Sequence, residues 1–262
     1  DSGGGAGIQA DLRTFHALNV YGCSAITAVT SQNPGEVRRV DVLPAEAVKS
    51  QLETILDAIP IRVAKTGMLA ERKIIEYTAE TASERQLSLV VDPVMVSTSG
   101  AQLLQKTAIS AVKDLLIPQA ACLTPNIPEA ELLCGRKVQS LSDLADLATM
   151  LHEQYRCNII LKSGHLDHAE NTSDVVCFEG DLYTLSSPRI AIAGITAHGT
   201  GCTLSAALAA NLAKGKNWQE AVITAKAFVL GSLAENVALS NHLHQMYPPE
   251  RSYLHQISLQ PI

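Results

Sequence analysis

The sequence predicts an α/β fold: a doubly wound, mainly parallel sheet with helices on both faces and one antiparallel hairpin. Three observations carry this. Apolar periodicity alternates between helix and strand types from end to end. Hydrophobic residues make up 47% of the 262 residues and aromatic ones only 4%, so the interior is built from Ala, Val, Ile and Leu, which suits helices layered on a mainly parallel sheet. A Gly-Asp turn between alternating runs in VVCFEGDLYTL (175–185) marks the hairpin.

The elements follow in order. Ile8, Leu12 and Phe15 lie along one face of a first helix, which Asn19 can end, and SAITAVT (24–30) is β-branched and strand-like. Val48, Leu52, Ile55, Leu56 and Ile59 mark a second helix opened by Pro44, with IRVAK (61–65) as the next strand. A third helix covers roughly 71–85 and leads into the apolar strand LSLVVD (87–92), which stops at Pro93. Helical patterns near 107–116 and 142–155 flank the short strand ACLT (121–124) and precede NIILK (158–162). After the hairpin, helices over about 201–214 and 217–239 complete the fold. Strands and helices in this alternation imply right-handed crossovers. No repeat or linker divides the chain, so a single domain over 1–262 is expected, with a polar, Pro-containing tail at 240–262 that is peripheral to it.

Composition excludes several classes. A net charge of -6 leaves no basic stripe for a nucleic acid and no polybasic patch for a membrane. No apolar run approaches the ~18 residues of a membrane helix. The six cysteines form no CxxC pair and no zinc-like cluster; free thiols point to a reducing compartment, the cytoplasm. Oligomeric state is left open, a homo-oligomer included.

The most informative stretch is AHGTGCTLSAALAA (197–210), where two glycines and a cysteine precede a strongly helical run. A helix start leaves backbone N–H groups without intrahelical partners and carries roughly half a positive charge. Gly199, Thr200, Gly201 and Cys202 can turn such groups toward an anion, and the same field is expected to lower the Cys202 pKa below the free ~8.5. The bland alternative is a tight turn with a small buried cysteine. Three further segments lie at strand ends: VVDPVM (90–95) with Asp92, TPNIPEA (124–130) with Asn126 and Glu129 just after a strand, and LKSGHL (161–166) with Lys162. Carboxylates suit hydrated Mg2+ beside substrate phosphates, and the lysine suits a phosphate. Each segment also reads as ordinary turn chemistry, and Glu129 as a first-turn acidic residue. Together they fall on one sheet edge and supply once each what phosphoryl transfer needs.

SGGGAGIQADLRTF (2–15), TAVTSQN (27–33), KTGML (65–69), DPVM, LTPNIPEAE, KSGHL and HGTGCTLSAALAA run in order over nearly the whole chain. In that combination the sequence resembles the ribokinase-like superfamily, and within it the hydroxymethylpyrimidine/phosphomethylpyrimidine kinases of thiamine biosynthesis; Cys202 is telling, because most of the superfamily has Asp there. The resemblance implies that Gln32 hydrogen-bonds the pyrimidine, with Ala6, Asp11 and Met68 shaping its pocket. It implies that Asn126, Lys162 and Asp174 lie on the ATP side, and that Glu129 with Asp92 organises Mg2+ through water. The Gly199, Thr200, Gly201 and Cys202 loop would hold the transferring phosphoryl charge while Cys202 assists deprotonation of the hydroxymethyl group. The implied reaction is two successive ATP-dependent phosphorylations, to the monophosphate and then the diphosphate.

The sequence departs from that pattern at Ala197, where Thr is usual, and at Ser163, where Gly is common. The family also carries a strand before the Asp1-Ser2-Gly3 loop; read as truncated there, the chain would expose two ladders and part of the pocket. Gly5, Gly7 and Ala10 fit G-x-G-x-x-A, but the next strand ends in Thr30-Ser31-Gln32 without the carboxylate a dinucleotide ribose needs. A pyridoxal/pyridoxamine kinase of the same branch is the nearer alternative, and a non-catalytic pyrimidine sensor a third. His165 is read as a packing or hydrogen-bonding residue.

Overall fold

The computed structural model describes residues 1–95, 104–164, 170–190, 198–240 and 243–262. Helix α1 (Gly7–Ala17) is followed by strands β1 (Ala28–Asn33) and β2 (Glu36–Val42), helix α2 (Ala45–Ala58), strand β3 (Val63–Thr66), helix α3 (Arg72–Glu84) and strand β4 (Ser88–Val91). Helix α4 (Lys106–Ala111) runs on through a π turn (Val112–Leu116) and a 3-10 turn (Ile117–Gln119) to β5 (Ala120–Leu123). Then come α5 (Ile127–Cys134), α6 (Leu141–Tyr155), β6 (Asn158–Leu161), the hairpin β7 (Asn171–Phe178) and β8 (Asp181–Pro188), α7 (Thr200–Ala213), α8 (Trp218–Ala234), β9 (Val237–Ser240), β10 (Leu243–Gln245) and β11 (Ser258–Pro261).

Seven strands form the central sheet in the order β11-β8-β7-β6-β5-β4-β3. Pairing is parallel from β3 through β6 and antiparallel from β6 through β7 and β8 to β11. The α/β class and the hairpin are as expected, and the sheet is mixed because the hairpin continues it past β6. Successive residues of a strand face opposite sides. Leu89, Val91, Leu123, Ile159 and Leu161 accordingly pack with helices α2 to α6, whereas Val90, Cys122 and Ile160 pack with α7 and α8. Helix α7 is buried on every face from Thr203 to Asn211, mostly by alanine and leucine, the signature of a helix enclosed by protein. Its alanines let α8 lie close.

Three expectations are corrected. The strand predicted over 24–30 begins at Ala28 and pairs with β2 instead of joining the main sheet; β2 is exposed at all but its last residue, so no apolar alternation announced it. The last helix stops at Ala234, and Val237–Ser240 forms a ribbon with β10; apolar residues there sustain the helical count without being buried. The tail expected to be peripheral packs onto the fold: Gln245 and Met246 are buried, and β11 hydrogen-bonds to β8 as the outer strand of the sheet. Among the described residues no helix is long and apolar enough to cross a membrane.

Candidate active site

Parallel strands end on one edge, and ligands of open α/β sheets bind there. Here β3 carries Lys65 just before its last residue, Thr66, β4 leads into Asp92, β5 into Asn126 and Glu129, and β6 into Lys162. The start of α7 meets that edge from the other layer. The result is a cleft of about 1540 Å³ whose lining includes Ala6, Asp11, Gln32, Met68, Asp92, Asn126, Glu129, Lys162, Gly199, Thr200, Gly201 and Cys202.

Gly199 is the residue before α7 and adopts φ 88°. A β-carbon there would overlap the carbonyl oxygen of Gly5, so both the left-handed backbone and the close approach require glycine. Gly199, as the cap residue, brings no side chain to this helix start, and the first turn holds no acid. Above it sits an ion pair, Lys162 Nζ to Asp92 Oδ1 at 3.1 Å. A β-carbon on Gly201 would stand 3.2 Å from that Nζ and 3.7 Å from Asp92 Oδ2; the missing side chain lets the pair approach the helix. Ser205 Oγ lies 3.4 Å from Asp92 Oδ2.

Cys202 occupies the first turn, and here the pKa expectation is overturned. Burial pushes its thiol up, with Lys65 and the Gly7 amide opposing the rise. Desolvation of a thiolate outweighs the helix field once the sulfur is covered. Lys65 is 3% exposed at its side chain and donates to both carboxylate oxygens of Asp11, at 2.9 and 3.0 Å. Its pKa is raised: burial pulls it down, but Cys202, Asp11 and Asp92 together outweigh that. Burial raises the Asp11 pKa against the opposing pull of Lys65.

Asn126 caps α5. Its Oδ1 accepts the Glu129 N–H at 2.9 Å while Glu129 Oε2 accepts the Asn126 N–H at 2.9 Å, a reciprocal capping box. The first-turn reading of Glu129 therefore holds, and its other oxygen does more: Oε1 accepts the Met95 N–H at 3.1 Å, pinning the loop after Asp92. Within that loop Val94 adopts φ 41°, a left-handed backbone that costs a β-branched residue ~1–3 kcal/mol and tends to occur at functional sites. Burial, with Asp92 nearby, pushes the Glu129 carboxyl up to about 7 despite the pull of Lys162 and the two amides.

At the opposite wall, Gln32 Nε2 lies 2.9 Å from His198 Nε2, which is itself 3.2 Å from Asp1 Oδ2. Asp1 Oδ2 also accepts the Ala6 N–H at 2.9 Å, so the loop before α1 and the loop before α7 are tied together beside Gln32. The Met68 carbonyl accepts from Thr27 Oγ1 at 2.8 Å.

Asp174 departs from its expected place. It does not line the cleft; its carboxylate is buried against Lys226 and Ser163, because β7 turns it toward α8 beneath the strand end. Ala197 and His165 lie outside the described residues. Sequence reasoning gave no role to Lys65, His198 or Lys226. Lys65 carried the same signal as Lys162, a lysine closing an apolar strand; Lys226, mid-helix, carried none.

A parallel-strand edge set with lysines, carboxylates and a glycine-led helix start defines a phosphotransferase of the ribokinase-like class. Residues 1–247 match the family described as phosphomethylpyrimidine kinase, and the chain belongs to that family. It is 44% identical to the hydroxymethylpyrimidine/phosphomethylpyrimidine kinase of Haemophilus influenzae, over 89% of this chain and 88% of that one. Among solved structures, the pyridoxal kinase of Staphylococcus aureus in complex with ADP superposes with a TM-score of 0.89 at 32% identity, covering 100% of this chain and 96% of that one. The phosphomethylpyrimidine kinase of Clostridium difficile 630 gives 0.76 at 37% identity, over 88% of this chain and 94% of that one.

Proposed function

We propose that this chain, as one kinase domain, transfers the γ-phosphoryl group of ATP to the hydroxymethyl oxygen of 4-amino-5-hydroxymethyl-2-methylpyrimidine, and then a second phosphoryl group to the monophosphate, in thiamine biosynthesis. The observation that carries this reading is the convergence of Lys162, Cys202 and the α7 start on one cleft whose far wall holds Gln32. Lys162 leaves Asp92 for the nucleotide phosphates, and the first-turn N–H groups of α7 receive charge developing on the transferred group, a field already in place before reaction. Gln32 binds the ring edge and fixes the hydroxymethyl group near Cys202. Its O–P bond forms as the bond from the γ-phosphorus to ADP breaks. The hydroxyl proton passes to the Cys202 sulfur, whose minor thiolate form Lys65 and the Gly7 amide stabilise.

Asp92 and Glu129 fit hydrated Mg2+. Both Glu129 oxygens already hold backbone N–H groups, which suits contact through water and the phosphates better than a protein cage, the usual Mg2+ arrangement. When bound, the ion neutralises phosphate charge. Six free cysteines support a cytoplasmic setting.

A product assay with ATP, Mg2+ and the hydroxymethylpyrimidine tests this: monophosphate followed by diphosphate is expected, and absence of both overturns it. Pyridoxal phosphorylation is the second reading, favoured by the superposition on the Staphylococcus aureus pyridoxal kinase. A single phosphorylated product from pyridoxal, with none from the pyrimidine, would select it.

A further inference from the structure

The steps above leave a buried ion pair unused. Lys226 Nζ donates to Asp174 Oδ2 at 2.7 Å, while Asp174 Oδ1 accepts the Ser163 N–H at 3.0 Å and lies 3.4 Å from Ser163 Oγ. Asp174 is 5% and Lys226 9% exposed, and neither lines the cleft. Taking two such charges out of water costs several kcal/mol per ion, and a well-packed apolar pair of similar volume is often at least as stable. Stability alone is therefore a poor reason for this pair. What an apolar pair cannot supply is an acceptor for the Ser163 amide.

Ser163 follows Lys162 in the chain. On the β5 side, the Lys162 N–H is donated to the Pro125 carbonyl at 2.9 Å, and Asn126 pairs with Lys162 in a parallel bridge. On the β7 side, Asp174 holds the next amide. The end of β6 is thus gripped from both neighbouring strands at the point where its lysine reaches the cleft.

We propose that Asp174, held in place by Lys226, is a positioning residue for Lys162: by fixing the Ser163 amide it sets the strand end from which the Lys162 ammonium stands over the first turn of α7. This rests on the nucleotide role of Lys162 proposed above. It replaces a direct contact between Asp174 and ATP with an action through the backbone of the neighbouring strand.

Two paired variants of the full chain separate positioning from packing. Asp174→Leu with Lys226→Met removes both charges and the acceptor; Asp174→Asn with Lys226→Met removes both charges but keeps Oδ1 for Ser163. In steady-state kinetics the Leu/Met variant is expected to lose about tenfold or more in kcat/KM for ATP, as loss of a hydrogen bond to a charged group implies, with KM for the pyrimidine unchanged. The Asn/Met variant should stay within about threefold of the parent. Equal kcat/KM for ATP in both variants and the parent overturns the proposal. Lys162→Ala in the same assay separates the two readings: if it leaves kcat/KM for ATP intact, the role of Lys162 falls, whereas an impaired Lys162→Ala beside a parent-like Leu/Met variant removes only the positioning role. Should Leu/Met fail to fold, Asn/Met decides alone by hydrogen exchange. A protected Ser163 amide with retained kcat/KM supports the proposal, and an unprotected amide with unchanged kcat/KM for ATP sinks it.

Discussion

The Lys162 ammonium and the Asp92 carboxylate lie 3.1 Å apart over the first turn of α7, so the lysine after β6 and the carboxylate after β4 hold each other across the cleft edge. Side-chain exposures of 16% and 5% put the pair inside the cleft wall, where charges are weakly screened. In the function proposed above, a phosphate that engages Lys162 would release Asp92 toward the cation.

Lys162→Met should therefore lower kcat/KM for ATP about 10- to 100-fold, the range expected for losing a hydrogen bond between charged groups. Pyrimidine affinity should hardly move. Steady-state kinetics with each substrate varied in turn checks this, and equal losses for both would place Lys162 elsewhere in the reaction.

Cys202 rests as a thiol because burial raises its pKa. Its alkylation by iodoacetamide at pH 7 should be slower than that of a free thiol, and Lys65→Met should slow it further by removing the cation that opposes the rise. Turnover should climb with pH as the thiolate fraction grows, and Cys202→Ala should cost ~10²-fold or more in kcat, the size of a lost proton acceptor, with pyrimidine binding kept. Unchanged kcat in Cys202→Ala would remove the proton-acceptor role.

Burial pushes the Glu129 carboxyl up from 4.5 to about 7 in the folded chain. The folded form thus holds a proton that the unfolded form releases, and the group's contribution to stability is present below 4.5 and lost as pH rises toward 7. In the function proposed above, Mg2+ beside Glu129 would compete with that proton, so Mg2+-dependent activity should rise through about pH 7 and Glu129→Gln should flatten the rise. An identical profile in Glu129→Gln would assign the titration to another group.

Gly199→Ala places a β-carbon on the Gly5 carbonyl and a side chain at φ 88°. Backbone strain alone is worth ~1–3 kcal/mol, so thermal unfolding should shift down by several degrees and kcat should fall with it. A parent-like melting curve would show that the two loops are not locked together.

Gln32→Leu should raise KM for the pyrimidine about tenfold, since one hydrogen bond to the ring is lost, and leave KM for ATP alone. Equal pyrimidine KM in parent and variant would take Gln32 out of the pocket.

The chain's own periodicity was enough to place β3 to β8 and most helices, though not β11, because periods of 2 and 3.6 are local and a strand that runs into Asp92 or Lys162 shows that residue in the sequence itself. The glycine-led start of α7 was legible for the same reason. Pairing of charges was not: Lys65 meets Asp11 across 54 residues, Lys162 meets Asp92 across 70, and Lys226 meets Asp174 across 52, distances over which no spacing rule operates. The Cys202 shift went the other way from the helix-field argument because desolvation depends on what covers the sulfur, and only packing decides that. Sequence alone determined which chemical groups arrive at the sheet edge; the tertiary structure decided which of them hold one another and which face the cleft.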